Sequence, residues 1–214
     1  MSARRAAVVT VTLFLMLLNG AARAQVRRNV PVPAPGAAAP ADVLGIRTFS
    51  GLGGSSLVRT PEYDTSVARG VQRAREWFQI KVAFDTAPEW MDELTVQYFV
   101  LTGKREEGNL AYSLFTTIVR YSDVQEGRNH LVAAYLHPKA LLRYGEVAAA
   151  AVVFRYEGAV VGSTSEESIR LPEQWWSNPR VVESEEVTRR EGYLMDRSES
   201  PFALINIDDY EFVK

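Results

Sequence analysis

The stretch EWFQIKVAF at residues 76–84 decides the fold. Phe78, Ile80, Val82 and Phe84 alternate with Gln79, Lys81 and Ala83, a period of two that puts four large apolar side chains on one face of a strand. A strand of this kind buries its apolar face against a second layer, so a sandwich is predicted.

Outward from this strand the pattern repeats. Leu94, Val96, Tyr98 and Val100 alternate with Thr95, Gln97, Phe99 and Leu101, and the partly apolar second face suits a central strand. GKREEGN at 103–109 reads as a polar turn into residues 110–121, rich in β-branched and aromatic side chains, so a hairpin is expected. Residues 122–127 turn the chain into a strand at 129–136. His137-Pro138 ends that strand, and residues 139–144, closed by Gly145, suffice for one helical turn. Residues 146–156 read as a strand although Ala148 to Ala151 favour helix, because Val152, Val153, Phe154 and Tyr156 follow; Glu157-Gly158 then turns the chain into 159–163.

With a first strand near residues 43–49, the count reaches about seven. That is the rhythm of an all-β immunoglobulin-like or fibronectin-like sandwich, with an eight-stranded barrel as the rival. Residues 50–75 form a long glycine-containing loop with a strand fragment near 57–60. Residues 171–200, which hold Trp175-Trp176 and the charged run ESEEVTRREG, read as irregular, and residues 202–207 as a last strand-like stretch.

Composition removes several classes of function. The 214 residues include no cysteine, which excludes disulfides, thiol catalysis, iron–sulfur clusters and cysteine zinc sites. With 47% hydrophobic and 23% charged residues, the chain can bury a core. Arg4 and Arg5, the apolar run at 6–18 and Ala22-Arg23-Ala24 have the order of a secretory signal cleaved before Gln25. The apolar run is too short for a membrane span, so no span is expected after cleavage. Losing Arg4, Arg5 and Arg23, with no acid, takes the formal net charge from −2 to −5. The densest basic run, Arg69, Arg73 and Arg75, lies between Asp64 and Glu76, so no nucleic-acid partner is expected. Four prolines among Ala and Val at 25–42 favour an extended tether. The expected organisation is therefore a signal peptide (1–24), a Pro/Ala-rich linker (25–42) and one sandwich domain (43–214).

Chemical motifs are few. His130 and His137 sit at opposite ends of one predicted strand, about 23 Å apart at roughly 3.3 Å per residue, too far to share a metal. GLGGSS at 51–56 lacks the third glycine of the dinucleotide fingerprint, the Gly-Lys-Ser/Thr of a P-loop and a following helix pattern. Asp208-Asp209 with Glu211 lacks a calcium-loop spacing. Asp92-Glu93 and Glu166-Glu167 are adjacent pairs, whose side chains leave a strand on opposite faces and make poor acid/base couples. No catalytic, cofactor-binding or metal residue is assigned, no cofactor is expected, and no enzyme is predicted. Trp175 and Trp176 are the candidate partner-binding residues. Either one indole covers the open edge of the core, or one is exposed and anchors a partner.

EWFQIKVAFDTAPEWMDELTVQYFVL (76–101), LHPKALLRYGEV (136–147) and SPFALINIDDYEFVK (200–214) resemble the small immunoglobulin-like pilus-associated proteins of the type IV pilus-like gene clusters of Akkermansia and its relatives. The resemblance implies an exported accessory of a pilus or secretin-type assembly, periplasmic or cell-surface associated, that contacts envelope or pilus-assembly proteins. It is compatible with a homo-oligomer and supplies no binding residues. A carbohydrate-binding or adhesion module of the envelope is the alternative, motivated by Trp175, Trp176 and Trp90.

Overall fold

Phe78, Ile80, Val82 and Phe84 lie on one buried face, and that face looks onto a second sheet. The computed structural model describes residues 43–61, 75–106 and 108–214. The expected signal peptide, the tether, and Arg69 and Arg73 fall outside the described residues.

In chain order the strands are β1 (Leu44–Ser50), β2 (Leu57–Arg59), β3 (Glu76–Thr86), β4 (Met91–Glu106), β5 (Asn109–Val124), β6 (Gly127–Leu136), β7 (Glu146–Tyr156), β8 (Ala159–Glu167), β9 (Val187–Arg190) and β10 (Leu194–Asp196), with short helices α1 (Pro138–Tyr144) and α2 (Pro179–Val182). One sheet runs β1-β3-β6-β10, with β2 following β1 along the same edge of β3; the other runs β8-β7-β4-β5-β9. Every pairing is antiparallel except β9, which lies parallel to β5.

The two sheets make an all-β sandwich, as the alternation requires. The described residues hold ten strands rather than about seven. β2 is the strand fragment expected near 57–60, and the additions β9 and β10 are four and three residues long. Their place is set by backbone pairing to a long neighbour, which leaves no side-chain period to read. The polar turn after β4 is also narrower than 103–109, since β4 continues to Glu106 and β5 begins at Asn109. Rather than a strand, residues 202–206 form turns and Ile207 opens the 3-10 helix Ile207–Asp209. Phe202 leaves any strand register to stack on Tyr135 at 4.6 Å, and the Arg197 guanidinium takes the Ile205 carbonyl.

The interlayer core joins Phe78, Ile80, Val82 and Phe84 to Leu94, Val96, Tyr98 and Val100 of β4, Phe115, Val119 and Tyr121 of β5, and Ala150, Val152 and Phe154 of β7. Within it the Tyr98 and Tyr121 hydroxyls bond each other at 2.9 Å. Burial raises both phenols well above their ordinary value.

The C-terminal part of the chain then covers both outer faces. Phe202 packs with Trp77, Ala133 and Tyr135 on the first sheet, and Trp175 packs with Phe99, Leu101, Leu114, Ala149, Ala151 and Val153 on the second. This double burial explains the alanine run. Ala150 faces the interlayer core while Ala149 and Ala151 lie beneath Trp175, so small side chains admit neighbours on both faces and override the local helix preference. The expected helical turn is α1, capped by His137, whose Nδ1 accepts from the Lys139 N–H at 3.0 Å, with Pro138 at its first turn.

Candidate functional site

The site grows from the outer face of the second sheet. Strand register sets its rows: Ala149, Leu101 and Leu114 form one, Ala151, Phe99 and Thr116 the next, then Val153, Gln97 and Ile118, then Arg155, Thr95 and Arg120. The segment carrying Trp175 covers the first rows. Beyond it the face lies open, with Ile118 60% exposed and Val160 of β8 46% exposed.

Trp175 and Trp176 divide the work between covered and open halves. Trp175 is fully buried, and its Nε1–H donates to Glu167 Oε1 at 3.1 Å. It lies on the outer face of the sheet, not at the open edge of the interlayer core. Its neighbour Trp176 is half-buried, meets it edge-on with ring centroids 6.0 Å apart, and borders a cleft of about 440 Å³. Phe99, Leu114, Val153 and Val182 give the cleft an apolar lining, with Arg155 and Arg189 as its charged members. Sequence reasoning singled out the tryptophans but neither arginine. These come from β7 and from the parallel edge strand β9, and no motif links the two segments.

The other candidates serve the fold. Glu166 Oε2 accepts from the Gly51 N–H at 3.0 Å, while Glu167 turns to Trp175, so the pair does part to opposite sides. Glu93 is held by Lys214 at 2.8 Å, with Arg120 at 3.9 Å, and the Lys214 hydrogen bond lowers its pKa from the ordinary value. His130 Nδ1 lies 2.7 Å from Glu211 Oε1, which ties the C-terminal segment to β6. His137 caps α1 and packs 4.8 Å from the Trp77 ring; burial, then Lys139 and Arg75, lower its pKa. GLGGSS forms a loop with one 3-10 turn, Gly54–Ser56. Among the described residues no group of three or more His, Asp or Glu is placed to hold a metal ion, and no helix is long and apolar enough to cross a membrane.

Fold and site together define a two-layer all-β sandwich with a cleft on one outer face. A protein-family model matches residues 55–214, most of the chain, and the chain belongs to the family which that model describes. Among solved structures it is similar to a crystal structure of a protein from Akkermansia muciniphila, with a TM-score of 0.66 and 21% identity, covering 80% of this chain and 93% of that one. At that identity the likeness speaks for the fold. The curated proteins include no match.

Proposed function

We propose that this chain is an exported, non-enzymatic accessory of a pilus-like or secretin-type envelope assembly and that it acts by binding other proteins. The observation that carries the binding role is the half-open outer face of the second sheet, where Ile118, Val160 and the Trp176 cleft meet water beside Arg155 and Arg189, which form no ion pair among the described residues. Aromatic and arginine anchors set in an apolar surface are what protein interfaces concentrate. The signal-like order of residues 1–24 supports export. The resemblance of residues 76–101, 136–147 and 200–214 to Akkermansia pilus-associated proteins supports the assembly.

Deleting the gene and imaging surface pili, together with lysine crosslinking of the native protein in cells, tests this reading. Altered pili and a crosslinked envelope protein are expected; normal pili and no adduct would remove it. If glycan-array binding disappears in Trp176→Ala while no protein adduct forms, the carbohydrate-binding role takes its place.

A further inference from the structure

We propose that the cleft beside Trp176 takes an extended, carboxylate-bearing segment of a partner protein, whose acidic side chains pair with Arg155 and Arg189. The inference rests on the protein-binding reading above and names the chemistry of the partner at that site.

Three observations carry it. First, the charge is locally inverted. The chain has more acids than bases overall, yet the cleft lining holds two arginines and no acid. Both guanidiniums are exposed, and neither enters an ion pair or side-chain hydrogen bond among the described residues. Arg155 also borders a second depression of about 330 Å³ together with Asp92, Glu93 and Glu157, where Glu93 is already engaged by Lys214 and no ion pair forms with Arg155 among the described residues. A planar guanidinium presents paired donors that match a carboxylate.

Second, the lining between the arginines is Phe99, Leu114, Val153 and Val182, with Trp176 beside them. Aliphatic side chains of a peptide fit such a floor, and Gln97, Thr116, Ser163, Gln174 and Ser177 in the same lining offer hydrogen bonds to its main chain.

Third, the cleft opens at Thr116 onto an unfinished sheet edge. β9 pairs with β5 only as far as Phe115↔Arg190, and the C-terminal segment rejoins β5 at the Tyr121↔Val213 bridge. Among the described residues, 116–119 have no strand partner on that edge, so an extended chain leaving the cleft meets free main-chain donors and acceptors.

The test uses the secreted protein with acetylated, amidated octapeptides (Val-Glu)4, (Val-Gln)4 and (Val-Lys)4 and with an oligogalacturonate, followed by calorimetry and tryptophan fluorescence. (Val-Glu)4 is expected to bind best, to weaken as salt rises, and to lose about tenfold in affinity for each arginine replaced, as lost charge-pair contacts do. Arg155→Gln with Arg189→Gln removes the charge gently; Arg155→Glu with Arg189→Glu should turn the preference toward (Val-Lys)4. Because both arginines are exposed, an unchanged melting profile certifies the fold of each variant.

Equal binding of (Val-Lys)4 and (Val-Glu)4, no binding of (Val-Glu)4 at millimolar concentration, or binding of oligogalacturonate alone would overturn the inference. Lysine crosslinking separates the two levels. An adduct that persists unchanged in Arg155→Glu/Arg189→Glu sinks the cleft but leaves the protein-binding reading standing, whereas no adduct in the wild type sinks that reading itself.

Discussion

Trp175→Ala is the perturbation that the architecture answers most sharply. The indole is fully buried on the outer face of the second sheet, against Phe99, Leu101, Leu114 and Val153 over a floor of Ala149 and Ala151. That floor sits on hydrogen-bonded central strands, so it cannot rise to fill the space, and a Trp-to-Ala change at such a site costs about 3–5 kcal/mol. Glu167 Oε1 loses the indole donor but keeps the Ser165 hydroxyl, so the hydrogen bond adds only about 1 kcal/mol or less. In a domain of this size each kcal/mol lowers Tm by about 2–4 °C, and the variant should melt roughly 6–20 °C below the wild type. Trp176→Ala, at the half-buried neighbour, should cost about 1 kcal/mol or less. Urea unfolding followed by far-ultraviolet circular dichroism gives both numbers without depending on tryptophan emission. Equal costs for the two variants, or a Trp175→Ala loss below about 1 kcal/mol, would refute the claim that Trp175 pins the covering segment to the sheet.

Tyr98→Phe and Tyr121→Phe should each destabilise, because the two buried hydroxyls bond each other at 2.9 Å and either change orphans the one that remains. A buried orphaned hydroxyl costs about 1–3 kcal/mol, and the double variant should be less costly than the sum of the two single ones, which a double-mutant cycle in urea measures. Gly145→Ala should lower stability by more than about 1 kcal/mol in the same assay: the residue closes α1 at φ +89°, and a Cβ there would press on the Gly103 carbonyl. Asp85 carries a pH dependence of definite sign. Its hydrogen bond with Arg47, then that from the Asn129 N–H, lowers its pKa from the ordinary value. The stabilisation is therefore present above the ordinary carboxylate pKa of about 3.9 and lost as pH falls through the lower folded value. Asp85→Asn should flatten stability against pH in that acid window; an unchanged slope would remove the role assigned to the pair.

Where side-chain periodicity governs, the sequence was readable. β3 announces itself through Phe78 to Phe84, and the apolar second face of β4 at Phe99 and Leu101 marks a strand covered on both sides. The covering agent could not be read, because Trp175 reaches those residues from a segment with no regular period. β9 and β10 escaped for a related reason: their partners β5 and β6 are distant in the chain, and short edge pairing is a matter of main-chain geometry. Residues 202–207 carry apolar side chains at strand-like spacing but find no neighbouring strand, and the Phe202–Tyr135 stack wins over extension. At the candidate site the tryptophan pair was visible as a pair. Which indole is buried, and the placement of Arg155 and Arg189 around one cleft, are properties of tertiary packing alone.

The account centres on the open outer face of the second sheet as the surface that meets a partner. Replacing Ile118 by a photocrosslinking amino acid in the native organism tests this most directly, with the same replacement at exposed Arg59 on the opposite sheet as the control. The account predicts a discrete adduct with an envelope protein from position 118 and none from position 59. No adduct from 118, or an equal one from 59, would contradict it.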